Sequence, residues 1–593
     1  MQNISLTVAG TGIVSSLAAE NYSSSKKNNL MNELSKPADE SQNTSDILVQ
    51  KLIDWKVEFV FGIIGDGVNP IIEALRKKQD KIKLITVRHE EAAAFMASGY
   101  AKYTGKLGVC IGTSGPGAVH LMNGIYDAAM EGAPVLAITG SVYHDLLGTY
   151  FTQEVDTVAL MQDATVYNKM ITGPRQAMTL VDLACRTALN EPGVAHLTVS
   201  KDVQQKILAD DKPSANSENL TGSSAFLPRT PVPSDIELND AATLLNNHSK
   251  IMILAGRGAL SARDEVLQLA QKLNAPVAKA LLGKMLLPDD SPFTTGGTGQ
   301  LGTIPSMEMM RDCDLLLILG SNMPHLSYYP KSGVAKAIQI DKDPKRIGLR
   351  FPVNIGLCGD VKQTLQALLP KINQHNGKSF LQLAQQKMTE WKITLSKLEK
   401  SPSSPIKPEF VASEVSKLLA EDALLAFDTG AHTVFSARHI QSKSKQQLAV
   451  CGNLASMAPG LPYAIAAQIA YPNRQCVAMV GDGGFTMLMA EMATAVLYEL
   501  PVKIIIFKNN QLSMDRFEQE EMGSKDYGIN LLPIDFVKVS EACGAEGYSC
   551  KRAEDLPAIL RRAFATKKPS VIEVMVDPDE PPSKPEKIKY NYQ

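Results

Sequence analysis

Eight cysteines are spread through the 593 residues, and no two of them form a Cys-x-x-Cys pair. Scattered thiols argue against a zinc site and a disulfide framework, and for a reducing, cytoplasmic location. Neither sign of charge is in excess: 60 Lys and Arg stand against 62 Asp and Glu. That balance gives no electrostatic case for binding nucleic acid or an anionic membrane. No apolar run reaches the ~18 residues of a spanning helix, so no integral membrane segment is expected. No tandem repeat of solenoid period is present. Ile4 to Ala19 is mildly apolar, but no Lys or Arg precedes it as a secretory signal requires. A Ser-, Asn- and Lys-rich stretch follows, and residues 1–44 are expected to be a disordered extension.

What the chain does have is length and repeated short apolar runs. With 44% hydrophobic and 21% charged residues it reads as globular. It is too long for one core, so several domains of about 150 residues are expected. A helix over Ser45–Trp55, capped by Thr44 or Ser45, opens the first unit. Then Phe59-Val60-Phe61, Leu84–Val87, Gly108–Ile111 and Val135–Ile138 alternate with helical segments. A polar stretch from Asp210 to Ser234 reads as a linker. Strands Ile251–Leu254, Leu315–Leu319 and Ala337–Ile340 mark a second unit. A charged passage, Asn373 to Pro408, carries one helix and leads into a third unit. The expectation is an α/β protein of three consecutive doubly wound parallel-sheet domains, at 45–205, 235–372 and 409–577, with a tail at 578–593.

The most informative residues are Asp482 and Asn509, 27 positions apart. Asp482 stands in Val480-Gly481-Asp482-Gly483-Gly484 after the apolar run Cys476–Val480. Asn509 stands in Phe507-Lys508-Asn509-Asn510-Gln511 after Val502–Phe507. Between them Phe485, Leu488, Met489, Met492, Ala493, Val496 and Leu497 keep helical spacing, so one amphipathic helix is expected. A right-handed strand–helix–strand unit puts both residues on one sheet edge, where open α/β sheets bind ligands. A carboxylate and an amide suit Mg²⁺, which takes its remaining ligands from phosphates and water. The glycine N–H groups at a helix start suit the phosphates.

This pattern resembles the fingerprint of thiamine-diphosphate (ThDP) enzymes. The resemblance implies Asp482, Asn509 and the main-chain carbonyl of Gln511 as Mg²⁺ ligands, with Gly481, Gly483 and Gly484 against the diphosphate. Gly65-Asp66-Gly67 also follows an apolar run, but no Asn-Asn lies 27 residues on, and it reads as a structural turn. The order of units resembles the acetohydroxyacid synthase and pyruvate oxidase branch: pyrimidine-binding, central and diphosphate-binding domains. That likeness covers about 45–577.

ThDP must lose the proton on its thiazolium C2, and a carboxyl sharing a proton with the pyrimidine ring makes this possible. Such a carboxyl needs an apolar, water-poor pocket to keep a raised pKa. In Val87-Arg88-His89-Glu90-Glu91-Ala92 the resemblance assigns that role to Glu90, whereas Glu91 reads as a first-turn carboxylate complementing the helix dipole. Glu90 and Asp482 lie in different domains, and in the family they meet across a subunit interface. A homodimer at minimum, and a homotetramer, is therefore implied. Met457, in Ala455-Ser456-Met457-Ala458-Pro459-Gly460, resembles the apolar prop that bends the cofactor. Ser114 and Gly115, with Gln153, resemble the substrate side.

In the central unit Gly256-Arg257-Gly258 follows a strand without completing the dinucleotide fingerprint, since Ser261 stands where the last Gly belongs. Glycine-dense Gly296–Thr303, Asn322 after the Leu315–Leu319 strand, and Asp341 at another strand end resemble the FAD-binding domain of pyruvate oxidase. The implied function is oxidative decarboxylation of a small 2-keto acid, pyruvate first, with electrons passed through FAD to quinone or oxygen. The alternatives are an acetolactate-synthase-type carboligase with non-redox FAD, and a homologue that binds ThDP without turnover. His120–Gly124, Gly283-Lys284-Met285 and Gly484–Met489 look closer to pyruvate oxidase, notably the quinone-linked type. Two departures bear on the substrate: Thr152 stands where a Phe is usual, and Ser513 where a Gly is usual. The amphipathic membrane-binding tail of the quinone-linked enzyme is not seen after Pro581-Pro582, which leaves peripheral membrane contact open.

Overall fold

The computed structural model describes residues 41–213, 224, 230–400 and 403–588. Most of the expected extension, most of the expected linker and the last five residues lie outside the described residues. The apolar runs become strands of three six-stranded sheets, every pairing parallel. The first sheet holds β1 (Phe59–Gly62), β2 (Lys83–Thr86), β3 (Gly108–Gly112), β4 (Val135–Ser141), β5 (Tyr167–Ile171) and β6 (Val194–Ser200), ordered β2-β1-β3-β4-β6-β5. The second holds β7 (Ile251–Ala255), β8 (Val277–Lys279), β9 (Thr294–Gly297), β10 (Leu315–Leu319), β11 (Lys336–Asp341) and β12 (Ile355–Cys358), ordered β12-β11-β10-β7-β8-β9. The third holds β13 (Leu424–Phe427), β14 (Gln447–Val450), β15 (Cys476–Gly481), β16 (Lys503–Lys508), β17 (Glu546–Cys550) and β18 (Ser570–Met575), ordered β14-β13-β15-β16-β18-β17.

Period-two alternation divides each sheet between two cores. Val109 and Ile111 of β3 pack on one face of the first sheet, and Cys110 packs on the other. Val477 and Met479 of β15 face one core of the third sheet, while Ala478 and Val480 face the other. Cys110, Ala478 and Val480 belong to the same core, which spans the first and third sheets. Two helices, Glu90–Thr104 and Gly460–Ala470, contribute most of its helical side chains. Both are buried nearly all round, which is why they are rich in alanine and lack an ordinary polar face. Their approach is close: a Cβ on Gly99 would lie 2.7 Å from the ring of Tyr463.

One buried cation sits at this seam. Lys102 Nζ lies 2.8 Å from Asp127 Oδ1 and 3.1 Å from Glu131 Oε2, and donates to Tyr463 Oη at 2.8 Å. Burial alone would lower its pKa, but the two carboxylates hold it above the ordinary value.

Two local expectations change. The first helix is Thr44–Asp54, and its cap is Asn43, whose side chain accepts from Asp46 N. Thr44 and Ser45 are turned to the carbonyls of Lys206 and Gln204 instead. The single helix expected after Asp482 is broken into Asp482–Leu488, a tight turn Met489–Glu491, and Met492–Leu497. The break frees Glu491 to bond outside its own helix, with consequences developed below. The helix within 373–408 forms as Ser379–Glu399.

Candidate active site at two sheet edges

β15 and β16 are neighbours, so their carboxyl ends deliver Asp482 and Asn509 side by side. Asp482 is 5% exposed. Its Oδ2 accepts from Asn510 N at 2.6 Å and Asn509 N at 3.2 Å, and Oδ1 accepts from Gly483 N at 3.0 Å. Burial pushes its pKa above the ordinary value, while these three N–H groups favour the carboxylate. The Asn509 side-chain oxygen accepts from Gln511 N at 3.1 Å, and its amide donates to Ser513 Oγ. The departure at Ser513, where a Gly is usual, thus has a role in holding the loop: the hydroxyl at 513 orients the Asn509 amide. Asn510 takes φ 58°, an unusual conformation that turns the chain sharply here.

The glycines of this turn are walled by side chains. A Cβ on Gly484 would lie 2.6 Å from Asp428 Oδ2, and one on Gly481 3.0 Å from His432 Nδ1. A Cβ on Gly483 would lie 3.2 Å from the Met457 methyl, which brings Met457 against the turn. Ala455 and Ala458, flanking Met457, take φ 57° and 90°. Non-glycine residues are strained there, and such strain clusters at ligand sites. Asp428 Oδ2 and His432 Nε2 are buried without a hydrogen-bond partner among the described residues. Burial raises Asp428 to about 7 and lowers His432 to about 4. The cradle thus has oxygen donors for a hard cation, backbone N–H groups for phosphate, and orphaned polar atoms beside both. It fits Mg²⁺ and a diphosphate.

At the first sheet, β2 ends at Thr86 and helix Glu90–Thr104 starts four residues on. His89 caps it, Nδ1 accepting from Glu91 N at 3.2 Å. Glu90 is 8% exposed, and its Oε2 lies 3.0 Å from His120 Nδ1. The His120 ring stacks on His89 with centroids 4.5 Å apart. Glu91 does more than complement the helix dipole: it accepts from the Asn123 amide at 2.7 Å, which also donates to Ser456 Oγ at 2.9 Å, next to Met457. On the substrate side, Ser114 Oγ donates to Gln153 Oε1 at 3.3 Å. Gly115 has φ 65°, and a Cβ there would lie 2.8 Å from Gln153 O. Ser114, Gly115 and Gln153 are therefore brought together. Gly65-Asp66-Gly67 forms a short turn whose Asp66 pairs with Lys201 at 2.5 Å.

Among the described residues no hydrogen bond or ion pair joins Glu90 to Asp482 or Asn509 within one chain. The two edges are linked through Glu491, whose Oε1 accepts from Arg88 N at 2.8 Å and His89 N at 3.1 Å.

In the middle sheet, β7 and β10 are central and the order reverses between them, as in dinucleotide-binding sheets. Gly256 and Gly258 permit the close approach of the two strand ends: a Cβ on Gly256 would lie 2.4 Å from Gly320 O. The Asn322 amide reaches Asp341 Oδ2 at 3.4 Å. Asn322 Oδ1 and Thr298 Oγ1 are buried and unpartnered among the described residues. Burial lifts Asp341 above its ordinary value. These groups suit the hydroxyls and phosphates of a dinucleotide. Arg257 is directed elsewhere, to the carbonyls of Glu131 and Gly132 at a helix end of the first domain.

Sequence reading passed over Asp428, His432 and Glu491, and took His120 only as part of a family-like passage, without a role of its own. A signal existed for the first pair, since Asp428-Thr429-Gly430 follows the apolar run Ala423–Phe427.

Comparison with known proteins agrees with this geometry. Residues 42–160 match the N-terminal TPP-binding domain of thiamine pyrophosphate enzymes, 238–368 their central domain, and 428–574 their C-terminal TPP-binding domain. A Bacillus subtilis protein named as thiamine pyrophosphate-containing is 39% identical, covering 92% of this chain and 93% of its own. Pyruvate oxidase of Lactiplantibacillus plantarum is 31% identical over 90% of this chain and 88% of its own. Acetolactate synthase of Mycobacterium bovis is 30% identical, with the same two coverages. The chain belongs to the thiamine-diphosphate enzyme family, in the branch that holds pyruvate oxidase and acetolactate synthase.

Proposed function

We propose that the protein catalyses ThDP- and Mg²⁺-dependent oxidative decarboxylation of a small 2-keto acid, pyruvate first. Pyruvate and water would give acetate, CO₂, two protons and two electrons, and bound FAD would relay the electrons to quinone or oxygen. The observation that carries the redox half is the middle sheet: a dinucleotide-type strand order with Asn322, Asp341 and Thr298 at its carboxyl edge. Bound ThDP supplies the electron sink for the carbon that loses CO₂. The chain's own groups do the rest. Asp482, Asn509 and the Gln511 carbonyl would hold the metal, and Gly481, Gly483 and Gly484 would present N–H groups to phosphate. Glu90, itself buried and set against the exposed His120 ring, would hold or give a proton at Oε2. Ser114, Gly115 and Gln153 line the substrate side.

Further assignments are part of the same reading. Residues 45–205, 235–372 and 409–577 serve as pyrimidine-binding, FAD-binding and diphosphate-binding domains. A homodimer or homotetramer completes each site, and eight free thiols suit the cytoplasm. Among the described residues no helix is long and apolar enough to cross a membrane. The competing reading is carboligation, favoured by the near-equal identity to acetolactate synthase. Flavin absorbance decides between them. With ThDP and Mg²⁺ supplied and oxygen removed, pyruvate should bleach the flavin. Pyruvate consumed over an oxidised flavin would replace the oxidase with a carboligase or decarboxylase.

A further inference from the structure

β2 is an edge strand of the first sheet, paired on one side only, by β1. An edge strand leaves a row of backbone groups without sheet partners. Here the third domain supplies them from side chains. Thr86 N donates to Tyr498 Oη at 2.8 Å, and Arg88 N and His89 N both donate to Glu491 Oε1. Glu491 is 0% exposed, and its second oxygen accepts from Thr494 Oγ1 at 2.6 Å. The turn that carries Glu491 follows directly on the helix begun by Asp482. One end of this short segment therefore stands at the metal loop, and the other grips the two residues before Glu90.

We propose that Glu491 is a positioning residue: by accepting from Arg88 N and His89 N it fixes the strand exit that presents the Glu90 carboxyl to the cofactor. This rests on the reading of Glu90 as the acid that activates ThDP. The physical case is the cost of the alternative. Without Glu491 two part-buried backbone N–H groups at the seam lose their acceptor, and a donor shielded from water is costly to leave unpaired. The exit would then sample other conformations, and a small misplacement of a catalytic group is expensive in rate. The role needs an oxygen acceptor at that reach; the amide of Gln can fill it, with its NH₂ donating to Thr494.

Two measurements on the full-length protein test this. The first is backbone amide exchange without cofactor. Glu491→Ala should speed exchange of the peptide spanning residues 84–91 by about 10-fold or more and leave the β15–β16 core unchanged. The second is the exchange rate of the thiazolium C2 proton with ThDP and Mg²⁺ bound. It should fall about 10-fold or more in Glu491→Ala, with cofactor affinity within about 3-fold. Glu491→Gln should restore both to near the parent. If Glu491→Ala does not fold, Glu491→Asp keeps the charge, shortens the reach, and should move both readouts in the same direction. A C2 rate at the parent level in the Ala or Asp variant, beside a slowed Glu90→Gln, would overturn the proposal, and so would a Gln variant as impaired as Ala. A Glu90→Gln variant with normal C2 exchange would instead remove the assignment of the acid. The Glu491 role would then stand or fall on the amide exchange alone.

Discussion

The first and third sheets share one strand order and do different work. In each, the second strand leads into a buried alanine-rich helix, Glu90–Thr104 after β2 and Gly460–Ala470 after β14. In each, the third strand ends in a glycine turn, Ser114-Gly115 after β3 and Asp482-Gly483-Gly484 after β15. The chemistry placed on these equivalent points differs. The first edge offers a buried carboxyl with two histidines. The third offers oxygen ligands, glycine N–H groups and a methionine. A common scaffold thus fixes where a ligand lies, and the side chains at the strand ends decide whether an edge binds or reacts. The middle sheet has a different order, the one seen in dinucleotide-binding sheets, and stands outside this pair.

If that division is right, mutations on the two edges should fail in opposite ways. Glu90→Gln keeps the shape and an acceptor for His120 but cannot share the proton. Turnover should fall ~10³-fold while Mg²⁺–ThDP binding, followed by calorimetry, stays close to the parent. A Gln variant that turns over normally would break the comparison at its first edge. Asp482→Ala should do the reverse. Losing a charged ligand and the acceptor for three N–H groups should weaken Mg²⁺–ThDP binding ~10²-fold, and saturating cofactor should restore much of the rate. Met457→Ala falls between the two. Removing the apolar prop should lower kcat about 10-fold with binding changed only a few-fold.

How far the sequence could be read follows the same division. β1, β7, β10, β11, β15 and β16 were legible because strands buried on both faces are continuous apolar runs. β5 and β17 were not: they end their sheets and carry Asn168-Lys169 and Glu546-Gly547, so no such run exists. Asp482 and Asn509 were legible because each follows its strand directly and local spacing carries the meaning. Glu491 was not. Its partners lie about 400 residues earlier, and in sequence it is one more glutamate on a helical stretch. Arg257 shows the limit of locality from the other side: its glycine neighbours drew attention to it in sequence, while its guanidinium donates to carbonyls of the first domain. The expected single helix after Asp482 failed for the reason Glu491 was missed, since a tertiary contact sits where the periodicity would have continued.

The smallest effect sharpens the third edge from within, through two buried groups titrating in opposite directions. Asp428 is raised from 3.8 to about 7 by burial, so the folded state prefers it protonated. Its stabilising contribution is whole below pH ~4 and is lost as pH rises towards 7. His432 is lowered from 6.5 to about 4, so the folded state prefers it neutral. Its contribution is whole above pH ~6.5 and is lost as pH falls towards 4. Between these limits the two slopes oppose each other, and the contributions of these two groups largely cancel in the cofactor-free parent. Asp428→Asn removes one slope and leaves the other. Its thermal midpoint relative to the parent should therefore rise by a few degrees between pH 5 and pH 8. A difference that stays constant over that range would show that Asp428 is ionised throughout, and that the diphosphate cradle carries a negative charge its ligand must overcome.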